Sequence, residues 1–196
     1  MTSPLPGARV TLLRHGQSTW NELSLIQGQN DDAVLTERGQ REALSVGESL
    51  KSLGFTHVVT SDLQRARQTA DIIAAALELP LSEDSRLRER CFGSLEGQPL
   101  RLLDPASSGI VDGVLVDPDA RPGGGESFRD VVIRVGSFLD EALDALGDSR
   151  ILVVTHGGAI RALHAYVEDA PLAGLVMMAV GNCSVWELIP TPTPRA

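Results

Sequence analysis

The 196-residue chain has little cysteine: Cys91 and Cys183 are the only two. Two cysteines cannot build a disulfide framework, and neither stands at a metal-ligating spacing, so a reducing compartment is expected. Lysine is nearly missing as well. Lys51 stands alone among 17 basic residues, the rest being arginine, and 26 acidic residues bring the formal net charge to -9. That balance argues against nucleic-acid or anionic-membrane binding, which needs a cationic field over a broad surface. Small anions remain open to it, because their capture takes a few local cations, and arginine offers a planar fork that matches phosphate or carboxylate. There is no long apolar run. The stretch from Val10 to Leu13 is too short for a signal h-region or a membrane helix, and MTSPLPGARV has no basic n-region. A cytoplasmic location is therefore the expectation. With 42% hydrophobic residues and a mean hydropathy of +0.02, the chain can bury a sizeable core, and its length fits one domain spanning residues 1–196.

Short apolar runs alternate with amphipathic stretches, the pattern of an α/β fold with a mostly parallel sheet. Strands are expected at Arg9–Leu13, His57–Thr60 and Arg150–Thr155, with two closing strands at Val176–Val180 and Ser184–Ile189, joined by Gly181 and Asn182. Helices are expected over Thr36–Leu53, with Ala43, Leu44, Val46, Leu50 and Leu53 on its apolar side, then over Asp62–Leu79, Ser127–Leu146 and Gly157–Tyr166. Ser61 with Gln64, and Ser127 with Asp130, have the spacing of capping boxes. Residues 97–125, rich in Pro, Gly, Ser and Asp, read as an irregular excursion that covers a pocket, and the TPTPRA tail as frayed.

Three strand-to-helix junctions carry polar residues that the fold itself does not need: Arg14-His15-Gly16, Ser61-Asp62 with Arg65, and His156-Gly157-Gly158. In a parallel sheet they meet at one edge, where helix N-termini point free N–H groups at anions. Arg65, in the first turn of its helix, opposes the helix dipole and gains from a nearby anion. His57, beside a strand, and His164, mid-helix among Ala and Leu, read as packing or surface residues. Gly123-Gly124-Gly125-Glu126-Ser127 has no following Lys and is a turn into a helix rather than a phosphate loop. Asp104, Asp112, Asp117 and Asp119 are scattered as in a solvated loop, so no metal site is expected.

Arg14-His15-Gly16-Gln17-Ser18-Thr19-Trp20-Asn21 closely resembles the RHG signature of the histidine phosphatase (phosphoglycerate-mutase-like) superfamily. Ser61-Asp62-Leu63-Gln64-Arg65-Ala66-Arg67-Gln68-Thr69-Ala70 resembles its second arginine motif. Leu87-Arg88-Glu89 with Phe92-Gly93 and Glu96-Gly97 resembles its acid-residue motif, and Thr155-His156-Gly157-Gly158 its second histidine motif. The resemblance runs over about residues 8–190. It implies a three-layer sandwich with a mostly parallel central sheet flanked by helices. It also implies that His15 attacks phosphorus to give a phosphohistidine that water hydrolyses, with no cofactor and no metal. Arg14, Arg65 and His156 would surround the phosphoryl oxygens, Asn21 and the Gly157 N–H would add donors, and Glu89 would act as general acid and then base. Glu96 is assigned a structural or solvent-facing role.

Within the resemblance, a phosphomonoesterase of a small phosphorylated metabolite is favoured over a cofactor-dependent phosphoglycerate mutase. The segment after the acid motif is poor in cations, with only Arg101 and Arg121, and Cys91 stands where mutases typically have His. The mutase alternative stays open, since Ser18, Trp20 and Asn21 suit either enzyme. A non-catalytic phosphoanion-binding module is the third reading. Neither nucleic acid nor membrane is an expected partner, and a homodimer is left open.

Overall fold

The computed structural model describes residues 10–146, 149–169 and 171–188. Arg9, Ile189 and the TPTPRA tail lie outside them. In chain order the elements are β1 (Val10–Arg14), α1 (Thr19–Glu22), α2 (Glu37–Leu50), β2 (His57–Thr60), α3 (Gln64–Leu77), β3 (Leu81–Glu83), α4 (Pro105–Ser108), β4 (Ile110–Val111), β5 (Val114–Leu115), α5 (Phe128–Leu146), β6 (Ile151–Thr155), α6 (Gly157–Glu168) and β7 (Val185–Leu188). The main sheet has the order β3-β2-β6-β1-β7. Its first four strands run parallel and β7 closes the edge antiparallel to β1.

Two cores separate the layers. Val10 and Leu12 of β1 and Ile151 and Val153 of β6 pack with Val131, Val135, Leu139, Ile160 and Leu163 of α5 and α6. Leu13, Val58, Leu152 and Val154, alternating onto the opposite face, pack with Leu50, Ala70 and Ile73 of α2 and α3. A strand buried on both faces reads as a continuous apolar run, which is what VTLL and ILVVT are. The three-layer sandwich expected from the sequence is therefore present. Register then sets the site, for Arg14 pairs with Thr155 and Thr60 with Val154. β1 and β6 end level and β2 one residue short of them, so His15, Ser61 and His156 leave the sheet at the same edge.

Several local expectations are corrected. α3 begins at Gln64 without a side-chain cap from its own N-cap residue, Leu63, so Ser61 and Gln64 form no capping box. The Ser61 hydroxyl lies instead 2.9 Å from a ring nitrogen of His156, and Asp31 from a distant loop accepts the Gln64 N–H. The Ser127–Asp130 box does form, each residue accepting the other's backbone N–H. Val176–Val180 is not a strand; its single ladder contact is a bridge from Val176 to Val114. Residues 97–125 are more structured than their composition suggests. Ile110–Val111 and Val114–Leu115 form a hairpin, and Leu115 is fully buried in the α5–α6 core. Leu44 is 52% exposed and does not join the apolar side of its helix. The strand β3 and the short helix α1 are additions that the apolar pattern does not reveal, being too short to show a period.

The first loop packs backbone to backbone on α2. A Cβ on Gly16 would sit 2.5 Å from the Gly39 carbonyl oxygen, and one on Gly39 would sit 2.1 Å from that of Gln17. Only a pair of glycines permits this approach, and it fixes the peptide that follows His15.

Candidate active site

His15 is the first residue beyond β1 and is 2% exposed. Its N–H donates to the Thr155 carbonyl at 2.9 Å, and its carbonyl accepts from the Asn182 side-chain amide at 3.0 Å. Nδ1 lies 2.8 Å from the Gly16 carbonyl. A carbonyl can only accept, so Nδ1 bears the hydrogen and Nε2 presents its lone pair. Burial, then Arg65 and Arg14, hold the ring's pKa well below the usual 6.5. The imidazole is neutral and its free nitrogen is a nucleophile at neutral pH.

The cations around it, the buried Arg65 and the half-buried Arg14, lack ion-paired carboxylates among the described residues. Arg65, fully buried, donates to the Asn30 and Gly28 carbonyls at 3.0 and 2.7 Å. Arg14 donates from Nη1 to the Val180 carbonyl at 2.6 Å. Desolvation pulls Arg65 down to about 10, opposed chiefly by Glu89, so it stays charged at neutral pH. Neither arginine enters an ion pair among the described residues. Nε of Arg14, Nε of Arg65 and Nδ1 of His156 are all buried without a hydrogen-bond partner. His156 is itself fully buried, its ring centroid 5.1 Å from that of His15 at an interplanar angle of 58°. Buried cations with unspent donors are costly unless an anion meets them. The constellation fits a multi-oxygen anion such as phosphate.

Glu89 reaches the same space. Its Oε1 accepts from the Arg90 N–H at 2.7 Å and its Oε2 from the Gly158 N–H, in the first turn of α6, at 3.0 Å. A Cβ on Gly157 would lie 3.8 Å from Arg14 Nε and 4.0 Å from Glu89 Oε2, which puts cation and carboxyl beside the α6 N-terminus. Asn21 is held by its side-chain oxygen. Its Oδ1 accepts from the Ser18 N–H and the Asn182 amide, which leaves its Nδ2 as the group able to donate to an anion. Gly158 admits the Glu89 carboxyl: a Cβ there would fall 2.0 Å from Glu89 Oε1. The carboxyl end of a flexible side chain can swing away at little cost to folding. Gly158→Ala is therefore expected to leave the melting temperature within a few degrees while kcat on an alkyl phosphate falls by about 10²; unchanged kcat would show that the Glu89 position is unimportant.

Sequence reasoning missed the residues that hold Glu89 from behind. Arg134 donates to the carbonyls of Arg86, Arg88 and Glu89 and pairs with Glu126, whose Oε2 accepts from the Cys91 N–H. Gln29 Nε2 donates to the Glu89 carbonyl as well. Arg90, 3% exposed, ties residues 105–126 to the same segment through the carbonyls of Ser108, Ala120 and Glu126. Glu96 accepts from Gln29 and Phe92 N–H, bracing the loop whose carbonyls bind Arg65. Arg161, one turn into α6, was also overlooked; its Nη1 lies 3.4 Å from a Cβ built on Gly157 while its Nε donates to the Met178 carbonyl. A basic residue four positions after Gly157 was the available signal, since i and i+4 share a helix face. His57 meets Ser82 and His164 meets Trp186 edge-on, both away from this cluster. Asp104 caps α4 and Asp119 pairs with Arg129.

Comparison with known proteins agrees with this arrangement. The sequence profile described as histidine phosphatase superfamily (branch 1) matches residues 10–194. A Cronobacter sakazakii protein named "Probable phosphoglycerate mutase GpmB" is 39% identical over 181 residues, covering 90% of this chain and 82% of that one. A mycobacterial glucosyl-3-phosphoglycerate phosphatase, solved in complex with VO3, superposes with a TM-score of 0.79 at 31% identity, covering 91% and 90% of the two chains. A structure titled "Mycobacterial hydrolase 1" superposes at 0.81 with 29% identity, covering 97% and 92%. No helix among the described residues is long and apolar enough to cross a membrane. The match over nearly the whole chain, carried by four motifs that converge on one sheet edge, makes this chain a member of the histidine phosphatase superfamily, branch 1, and an enzyme of phosphatase type.

Proposed function

We propose that the protein hydrolyses a small phosphorylated metabolite through a phosphohistidine on His15. The observation that carries this is the His15 ring, whose Nδ1–H is spent on the Gly16 carbonyl so that Nε2 is unprotonated near the buried Arg65 and the half-buried Arg14. Nε2 forms the P–N bond as the ester P–O bond breaks. The electron pair of that bond leaves on the alcohol oxygen, which takes its proton from Glu89. Water then attacks phosphorus, giving a proton to Glu89, and the P–N electrons return to Nε2 with release of inorganic phosphate. Arg14, Arg65 and the neutral His156 supply donors to the equatorial oxygens as their charge shifts. These groups stand in for a metal in the charge balance, so no metal or cofactor is assigned a step. Net charge of -9 disfavours a nucleic-acid substrate.

One observation favours a mutase as the second reading. Arg161 adds a cation beside the Gly157 turn that could retain a phosphorylated acid, in keeping with the name of the Cronobacter relative. The two readings separate on purified protein given sugar phosphates, phosphoglycerates, nucleotides and phosphoamino acids in EDTA. Phosphate release that persists in EDTA and stops with vanadate is expected. Interconversion of 2- and 3-phosphoglycerate faster than phosphate release would replace hydrolysis with the mutase. Activity lost to EDTA and restored by magnesium would overturn the metal-free charge balance.

A further inference from the structure

We infer that Ser61 is a positioning residue that fixes the ring tautomer of His156, so that its Nδ1–H points at the bound phosphoryl group. The inference rests on the phosphatase reading for its functional meaning, but its geometry stands by itself. Ser61 follows β2 directly, and its backbone N–H donates to the Val154 carbonyl at 3.0 Å, setting the residue beside the end of β6 and therefore beside His156. Both side chains are fully buried, with Oγ and Nε2 2.9 Å apart.

Proton counting with an anion in the arginine-lined space decides the direction of that bond. Ser61 Oγ already accepts from the Leu63 N–H at 3.3 Å, and the other hydrogen bond of its hydroxyl among the described residues is the one to His156. Were Nε2–H the donor, the hydroxyl hydrogen would be buried without an acceptor, and Nδ1 would turn a bare lone pair toward the arginine-lined space. With the hydroxyl donating to Nε2, the hydroxyl hydrogen is paired and Nδ1 carries the remaining ring hydrogen, the one proton left for an anion in the arginine-lined space. Burial and the nearby Arg65 and His15 hold the ring neutral, so a single proton is available and its position matters. A lone pair facing a phosphoryl oxygen repels it, whereas an N–H binds it.

The two histidines thus carry the same tautomer to opposite ends. His15 has its Nδ1–H tied to a carbonyl, which bares Nε2 as the attacking atom. His156 has its Nε2 tied to a hydroxyl, which turns Nδ1–H into a donor. The chemistry of the tying group, an acceptor in one case and a donor in the other, separates nucleophile from anion ligand. Ser61 carries this function rather than the helix cap its spacing suggested.

The test uses the full chain labelled with ¹⁵N-histidine, long-range ¹H–¹⁵N spectra reporting which ring nitrogen is protonated. The resonance is assigned by its loss in His156→Gln. The native protein without ligand is expected to show Nδ1–H at His156. Ser61→Ala is expected to populate the Nε2–H form and to weaken vanadate binding roughly 10- to 100-fold, the scale of one hydrogen bond to a charged ligand. Ser61→Thr, which keeps the hydroxyl, is expected to restore both. An Nε2–H form in the native protein overturns the inference whether or not the variants fold. A Ser61→Ala protein with unchanged tautomer and vanadate affinity overturns it too. Absence of phosphatase activity in a native protein that still shows Nδ1–H would defeat the phosphatase reading alone, since the tautomer is read without substrate.

Discussion

Replacing His15 by Ala is expected to lower kcat for phosphate release by at least about 10⁴, because the variant loses the atom that bonds to phosphorus while the arginines keep their places. Arg65 is fastened to the Gly28 and Asn30 carbonyls and Arg14 to that of Val180, none of which passes through the His15 ring. Vanadate affinity should therefore fall far less than turnover does. The direct readout is rapid mixing with ³²P-labelled ester followed by an alkaline quench, which preserves a P–N bond. The native protein should retain label that mild acid removes, and His15→Ala should retain none. Label that survives acid, as a serine phosphate ester does, or label retained after His15→Ala, would assign the nucleophile elsewhere.

The second large effect concerns Glu89, whose value as an acid grows with the difficulty of expelling the leaving group. Backbone N–H groups of Arg90 and Gly158 each donate to one carboxyl oxygen, so Gln keeps the size of the side chain, gives up one of these two bonds because its NH2 cannot accept, and loses the ability to transfer a proton. Glu89→Gln is expected to slow phosphoenzyme formation from a sugar phosphate by about 10²–10⁴, the usual range for general acid catalysis. With p-nitrophenyl phosphate, whose phenolate departs unaided, that step should slow much less. Single-turnover rates are the informative ones, because Glu89 also serves the shared hydrolytic step. Equal losses for the two leaving groups would remove Glu89 as the acid. Glu96 braces the loop instead, its Oε1 accepting the Gln29 and Phe92 N–H groups.

Much of this site is legible in the linear order of residues, and the reason is periodicity. VTLL and ILVVT announce strands buried on both faces, and a parallel sheet forces the residues after them to one edge. Arg14, His15, Arg65 and His156 follow from that rule before any coordinate is known. Glu89 was harder, since it stands on irregular chain, and the acid-residue motif rather than any period marked it. Asn21 shows what a motif leaves out: the Ser18 N–H and the Asn182 amide, one near and one far in sequence, hold its Oδ1.

The apolar pattern by itself showed strands alternating with helices and where β1, β2 and β6 give way to polar residues, because burial of an element is dictated by local spacing. Tertiary structure decided what each polar group does when it arrives. Ser61 has the spacing of a cap and serves His156, while Asp31 from a remote loop takes over the α3 N-terminus. Arg134 and Glu126 hold the Glu89 peptide from across the fold, and the hairpin in residues 110–115 buries Leu115 in a core its own segment does not contain. Hydrogen bonds between residues far apart in sequence leave no periodic trace, because each is fixed by distance and proton count at a single point.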